Sequence, residues 1–330
     1  MSYDKPPFKI TYRAINTYGR IMNKLGEIKA YKSLERLPHL RKQNRIKSIY
    51  SSCAIEANSL SLNQVTDIIN GKHVIGDKKE ILEIKNAIRA YDIIEEINPY
   101  DLNSLLKIHS ILTNGLIDRP GKYRLNAEGV FDGDKCIFIA PPANLVPSLM
   151  ENLYLFLNDN KDKIPPIILS AIFHYEFVFI HPFQDGNGRA ARYIETAILA
   201  KFNEIFYWIP IENEIKKHQT EYYMAINKAN SDGESTVFIE FMLDLIDKAL
   251  DDAIIQIERE TIKKSIYVER LINVMSPGEA LSANELLERL DLKSKENLRK
   301  NYLNPALEAK LIELEIKSKP TSKNQRYIRL

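Results

Sequence analysis

Cysteine is almost absent from this chain. Cys53 and Cys136, two of 330 residues, offer neither a disulfide framework nor the paired spacing of a zinc site. Two reduced thiols fit a reducing compartment. No stretch approaches 18 uninterrupted apolar residues, so no membrane span is expected. Residues 1–8 are polar and proline-containing and do not read as a signal peptide, which makes a cytoplasmic location the expectation. Excess charge is lacking too. Lys+Arg number 46 against 44 Asp+Glu, a formal net of +2, and this argues against wholesale polyanion binding. No G-x-x-x-x-G-K-[ST] run exists, since His73 follows Gly71-Lys72 and Tyr123 follows Gly121-Lys122; a P-loop is excluded. Glycine is scarce, at 12 residues, and no internal repeat is present.

What fills the chain is amphipathic periodicity, so the expected fold class is mainly α. Helical spacing covers about 12–25, 40–55, 64–69, 79–97 and 101–112. In 166–180 the residues Ile167, Ile168, Ala171, Ile172, Tyr175, Val178 and Phe179 lie close to a 3.6-residue period, which predicts a buried helix. Another starts near Gly188, and helical patterns resume over 221–229 and 235–259. One segment differs. Residues 130–139 carry β-prone side chains on both sides of Asp132-Gly133, a favoured two-residue hairpin turn, and Ala140-Pro141-Pro142 ends the second arm. The tail from about 261 predicts helices at 265–275, 283–290 and 295–309, then strands at 311–316 and 325–330, the pattern of a winged helix-turn-helix. It holds 14 Lys/Arg against 9 Asp/Glu, a net of +5, leaving −3 for residues 1–260.

The densest chemistry is the run His181-Pro182-Phe183-Gln184-Asp185-Gly186-Asn187-Gly188-Arg189-Ala190-Ala191-Arg192. Gly186 and Gly188 allow the backbone to turn successive N–H groups toward one point. Such a nest, leading into a helix N-terminus, binds anionic oxygens. Arg189 and Arg192, three apart, share a helix face and can clamp further phosphate oxygens. Asp185 beside a phosphate suits Mg²⁺, which takes oxygen ligands. His181 at the mouth of the loop can act as a base near neutral pH. Base, metal, cradle and clamp together describe phosphoryl- or nucleotidyl-type transfer. Taken singly, each residue also has a structural use: a helix-end cap for His181, a turn for Asn187-Gly188, a pair with Glu195 for Arg192. Phe183 is expected to anchor the loop in the core.

This run resembles the Fic-domain signature H-P-F-x-[DE]-G-N-G-R-x-x-R at every specified position. Gly121-Lys122-Tyr123-Arg124 and the hairpin ending in Ile139-Ala140-Pro141-Pro142 look like that family's flap region, and the match covers roughly 40–250. The resemblance implies a helical core that transfers AMP from ATP to a Ser, Thr or Tyr hydroxyl of a target protein, with Mg²⁺, releasing pyrophosphate. It implies that His181 deprotonates the hydroxyl and Asp185 holds the metal. Gly186, Asn187 and Gly188 would form the anion hole, and Arg189 and Arg192 would contact the outer phosphates. Ile137, Phe138 and Ile139 of the flap would align the target segment by strand addition.

Ser52-Cys53-Ala54-Ile55-Glu56-Ala57-Asn58 resembles the family's inhibitory motif [ST]-x-x-x-E-[GN], in which the glutamate pairs with the second motif arginine. Carried over, Ser52 and Glu56 lie on an inhibitory helix at about 40–58, and Glu56 pairs with Arg192. The departure is Ala57 where Gly or Asn is expected. The implied organisation is an N-terminal helical region (1–100), a catalytic core (101–250) and a winged-helix-like domain (261–330). Three readings stand at this stage: an adenylyltransferase restrained by its own helix, an enzyme that removes AMP with Glu56 activating water, and a DNA-binding regulator with a sensing core. DNA or protein docking through 261–330, self-modification near 122–124 or the hairpin, and a homodimer remain open.

Overall fold

A computed structural model describes residues 5–31, 38–132, 135–320, 322 and 324–330; side chains are described except at 29–31, 130–132, 135–137 and 260–265. The chain divides into two compact units, Met1–Ala253 and Ile254–Leu330. The first contains α1 (Tyr12–Tyr31), α2 (Pro38–Ile55), α3 (Leu62–Ile69), α4 (Lys78–Asp92) and α5 (Leu102–Leu112). A hairpin, β1 (Gly129–Asp132) and β2 (Lys135–Ile139), interrupts the helices. Then come α6 (Val146–Asn160), α7 (Pro166–Ile180), α8 (Asn187–Phe202), α9 (Ile211–Lys217), α10 (Gln219–Asp232) and the long α11 (Thr236–Asn273), whose residues from Ile254 onward belong to the second unit. The N-terminal helices thus share one unit with the residues expected as a separate catalytic core.

The middle of this unit is α7 packed along α8. Proline at N1 of α7 is preset for a helix start. Its side chains are buried nearly all round, so the helix runs through the interior rather than along a surface. It ends because His181 turns to φ +50 and Pro182 follows. Each fully buried aromatic here, such as Phe173, Phe177 or Phe183, contributes enough that truncation to alanine costs about 3–5 kcal/mol. Helix α2 lies on α9 and α4, α5 on α4 and α8, and this brings the end of α2 to the start of α8.

The helices at 79–97 and 235–259 are corrected by the structure. Helix α4 stops at Asp92, with a 3₁₀ turn over Ile94–Glu96, and α11 continues to Asn273. Helices α6 and α9 had no counterpart in the sequence reading. In the hairpin the last paired residues are Asp132 and Lys135, one position beyond the expected Asp132-Gly133 turn; residues 133 and 134 lie outside the described residues.

The second unit adds β3 (Ala280–Ser282), α12 (Ala283–Arg289), α13 (Lys295–Asn297), a π turn (Leu298–Leu303), α14 (Asn304–Glu308), β4 (Ile312–Leu314) and β5 (Arg326–Arg329). The sheet is antiparallel, in the order β3-β5-β4. Its core gathers Leu271, Met275, Leu286, Leu298, Tyr302 and Ile312. Strand β3 was not expected, and the helix expected over 295–309 carries the π segment. Among the described residues, no helix is long and apolar enough to cross a membrane.

Candidate active site

The site is the loop between α7 and α8 together with the segments that hold it. Gly186, at φ +82, sits at the N-cap of α8 in the left-handed region. A Cβ there would come 2.7 Å from Thr113 Cγ2, so both the φ and the space require glycine. The first N–H groups of a helix have no partner within it. Here the N–H groups of Asn187, Gly188 and Arg189 have no acceptor among the described residues, which suits anionic oxygens. The Asn187 side chain is used differently: Oδ1 accepts from Phe183 N–H at 2.9 Å and Nδ2 donates to the Phe183 carbonyl at 2.7 Å. It staples the loop, leaving its backbone N–H for the cradle. Phe183 is fully buried, as its expected anchoring role requires.

Three residues position this loop: His109 and Glu83, which the sequence reading did not single out, and Arg124, which it quoted only as part of the flap-region motif 121–124. His109 on α5 stacks on Phe183 with ring centroids 3.6 Å apart. Its Nε2–H donates to the Asp185 carbonyl at 2.8 Å while Nδ1 accepts from Gly121 N–H at 3.0 Å. Those two bonds require the neutral ring, and burial lowers its pKa to about 4. Arg124, 4% exposed, donates Nε–H to the His181 carbonyl at 2.7 Å and reaches the carbonyls of Asn126 and Pro141. It ties the loop to both ends of the flap. Glu83 on α4 is the third: its Oε1 lies 2.5 Å from Arg189 Nη1. Burial raises the Glu83 pKa, with Arg189 opposing.

His181 is half-buried, and burial holds its pKa below the ordinary value. The ring contact of Nδ1 with the Val178 carbonyl, 3.4 Å, is compatible only with Nδ1–H as donor. Nε2 is then the free lone pair, as a base requires. Asp185 exposes about half of its side chain, 49%, and its Oδ1 accepts from Arg189 Nη2 at 2.9 Å. Among the described residues, no group of three or more His, Cys, Asp or Glu is placed to hold a metal. One exposed carboxylate beside a phosphate cradle does fit Mg²⁺, which takes one or two carboxylates plus substrate phosphates.

Arg192 is the most enclosed charge of the site, at 1% exposure. Its Nε–H donates to Ser52 Oγ at 3.2 Å, and Nη2 donates to the Ser52 carbonyl at 2.8 Å and to Glu56 Oε1 at 2.7 Å. Burial disfavours the guanidinium's charge most of any single influence, but Glu56 together with Tyr222 and Tyr91 outweighs it and the pKa is raised. Glu195 does not compete for Arg192, because it accepts from His174 Nδ1 at 2.6 Å, and His174 in turn meets Tyr222 Oη at 2.8 Å. The Glu56 carboxylate lies directly over the cradle: a Cβ at Gly188 would be 2.1 Å from its Oε1. Helix α2 closes with Ala57 at φ +67, a conformation that costs a non-glycine residue about 1–2 kcal/mol. Gln219 Nε2 and Tyr223 Oη donate to the Ile55 carbonyl at 3.0 and 3.4 Å, fixing this helix end.

Of the flap residues, Phe138 packs on Phe179 with centroids 5.4 Å apart, and Ile139 is 73% exposed. The Ile137 backbone belongs to β2; its side chain lies outside the described residues.

An imidazole, a half-exposed carboxylate, a glycine-capped helix start and two buried guanidiniums thus lie around one loop. A model of the Fic/DOC family matches residues 99–199, and one described as the C-terminal domain of filamentation induced by cAMP protein Fic-like matches 267–330. The chain is 38% identical to a Fic family protein from Desulfovibrio desulfuricans G20 of known crystal structure, with a TM-score of 0.75 and coverage of 99% of this chain and 98% of that one. The chain belongs to the Fic family. Among curated relatives, it is 29% identical to protein adenylyltransferase Fic of Nematostella vectensis over 64% of this chain and 49% of the relative. It is 28% identical to protein adenylyltransferase Fic of Drosophila melanogaster over 74% and 50%. The chain thus spans about half the length of the curated relatives it matches.

Proposed function

We propose that this protein is an adenylyltransferase that transfers AMP from ATP to a side-chain hydroxyl of a protein, and that Glu56 restrains it. The observation that carries the reading is the placement of one carboxylate on Arg192 and over Gly188. Curated relatives named protein adenylyltransferase support the reaction class.

The neutral His181 accepts the proton of the attacking hydroxyl at Nε2. Backbone N–H groups of Asn187 and Gly188 receive anionic oxygens, whereas the Gly186 N–H, expected in the anion hole, donates instead to Asp185 Oδ1; Arg189 and Arg192 balance the charge of the outer phosphates. Asp185 would hold Mg²⁺, which would neutralise charge on the phosphates when bound. The target hydroxyl becomes a phosphodiester to AMP, and pyrophosphate leaves. The exposed edge ending at Ile139 supports alignment of an extended target segment there. With Glu56 in place, Arg192 has no fork to offer and a negative charge stands where phosphate oxygens would lie.

The same carboxylate favours a second reading. A third of the Glu56 side chain, 33%, is open to solvent, so it could activate water and remove AMP. Incubation of wild type, Glu56→Gly and His181→Ala with labelled ATP and cell lysate tests the first reading. Label should pass to protein most strongly with Glu56→Gly and not at all with His181→Ala. AMP released from a pre-modified target by wild type, and lost in Glu56→Gly, would instead establish the second.

A further inference from the structure

The unit Ile254–Leu330 carries a surface that the transfer reaction does not use. Lys295, Arg299 and Leu303, spaced four apart along one helical face, line a cleft of about 260 Å³. Ser282, Asn284, Ser322 and Tyr327 line it as well, facing the helix from the start of α12 and from the β4–β5 connection. The same helical segment buries Tyr302 and Ala306 in the core, while Leu298 and Leu303 belong both to that core and to the cleft lining. Lys295 and Arg299 are the exposed charges of this segment that line the cleft.

Charge within the unit is sorted rather than mixed. Glu279 pairs with Arg289, Glu285 with Arg326 and Glu313 with Lys317. Lys293, Lys295, Arg299 and Lys300 are all exposed and have no ion-pair partner among the described residues. Asp291 and Glu296 are the acids within the same ten residues, so cations outnumber them two to one. Tyr327 feels the nearby Arg299 charge, which works against the rise in pKa caused by burial. Unneutralised Lys and Arg around a cleft of hydroxyl and amide groups match a row of phosphates.

We infer that this face binds double-stranded DNA, with the helical segment from Lys295 to Glu308 lying in the major groove and the β4–β5 connection against the backbone. The order helix, strand, two helical segments, two strands supports that docking geometry. B-form DNA has a major groove wide enough for a helix, about 12 Å, whereas the deep, narrow groove of A-form RNA admits none. The inference stands apart from the transfer reaction, because none of its residues belongs to that site.

The test is fluorescence anisotropy of a labelled 25-base-pair DNA duplex with the full chain from low to moderate salt. Four neutralised phosphates give a slope of log K against log salt of roughly −3 to −4. Lys295→Ala/Arg299→Ala should weaken binding at least tenfold and bring the slope to about −2. Lys85→Ala/Lys163→Ala, which removes the same charge from exposed positions of the first unit, should bind as wild type. Absence of binding at low salt overturns the inference. So does equal loss in both double variants, which would mean diffuse charge only. Unchanged DNA binding in Lys295→Ala/Arg299→Ala would overturn it as well and leave this face to a protein partner.

Discussion

Replacing Glu56 by glycine removes the 2.7 Å bond to Arg192 Nη2 and leaves that guanidinium with Ser52 alone. A hydrogen bond between charged side chains contributes about 1.5–3 kcal/mol. Because a third of Glu56 faces solvent, screening places this pair in the lower half, at about 1.5–2 kcal/mol. Free of the competing carboxylate, the site should bind ATP roughly 10- to 30-fold more tightly, at about 1.4 kcal/mol per factor of ten. Without nucleotide the variant should be less stable than wild type by a similar amount, since a buried charge loses a partner. ATP should restore that loss by supplying phosphate oxygens to Arg192. Calorimetric titration with ATP and thermal melts with and without it read both sides. Glu56→Gln separates the causes: its amide oxygen still accepts from Arg192, so affinity near wild type assigns the restraint to the hydrogen bond, and affinity near the glycine variant assigns it to charge. An ATP dissociation constant equal within twofold in wild type and Glu56→Gly would refute the reasoning.

Other expectations concern single groups. In a Glu56→Gly background, His181→Ala should lower the transfer rate by about 10²- to 10⁴-fold while calorimetry still detects ATP binding; loss of both would mean that His181 holds the loop rather than a proton. Ala57→Gly should raise the melting temperature, because relief of the positive φ, about 1–2 kcal/mol, exceeds the entropy cost of glycine, about 0.5–1 kcal/mol. An unchanged or lower melting temperature would contradict that balance. Burial raises Glu176 to about 7, so the folded state holds a proton that the unfolded chain has released. Its stabilising effect is complete below pH 4.5 and is lost as pH rises through 7. Glu176→Gln should therefore gain stability over wild type at pH 8 and not at pH 4, measured by urea denaturation at both.

The twelve residues 181–192 were legible because their chemistry is contiguous. Two glycines, a helix start and two arginines three apart need no distant partner to be read as an anion site. The positioning roles of His109, Arg124 and Glu83 were not legible, since each acts through groups far along the chain. His109 meets Asp185 across 76 residues, and Arg124 meets His181 across 57. A buried histidine or arginine in sequence looks like any other helix or loop residue. The hairpin was legible from β-prone runs around Asp132-Gly133, yet its pairing frame was not, because a one-residue shift in register leaves composition unchanged. Strand β3, three residues long, is too short for alternation to appear.

Glu56 and Arg192 show the division most clearly. The residue types and the resemblance of 52–58 to an inhibitory motif were present in the linear chain. So were the mainly helical class, the glycine-containing turn and the basic tail, because these follow from local spacing and from the conformational limits of individual residues. Closure of the 136-residue gap between Glu56 and Arg192, the 2.1 Å approach to the space above Gly188 and the tolerance of Ala57 at φ +67 depend on α2 packing on α9 and α4. Those are balances between burial and strain over many contacts, and only the folded chain decides them.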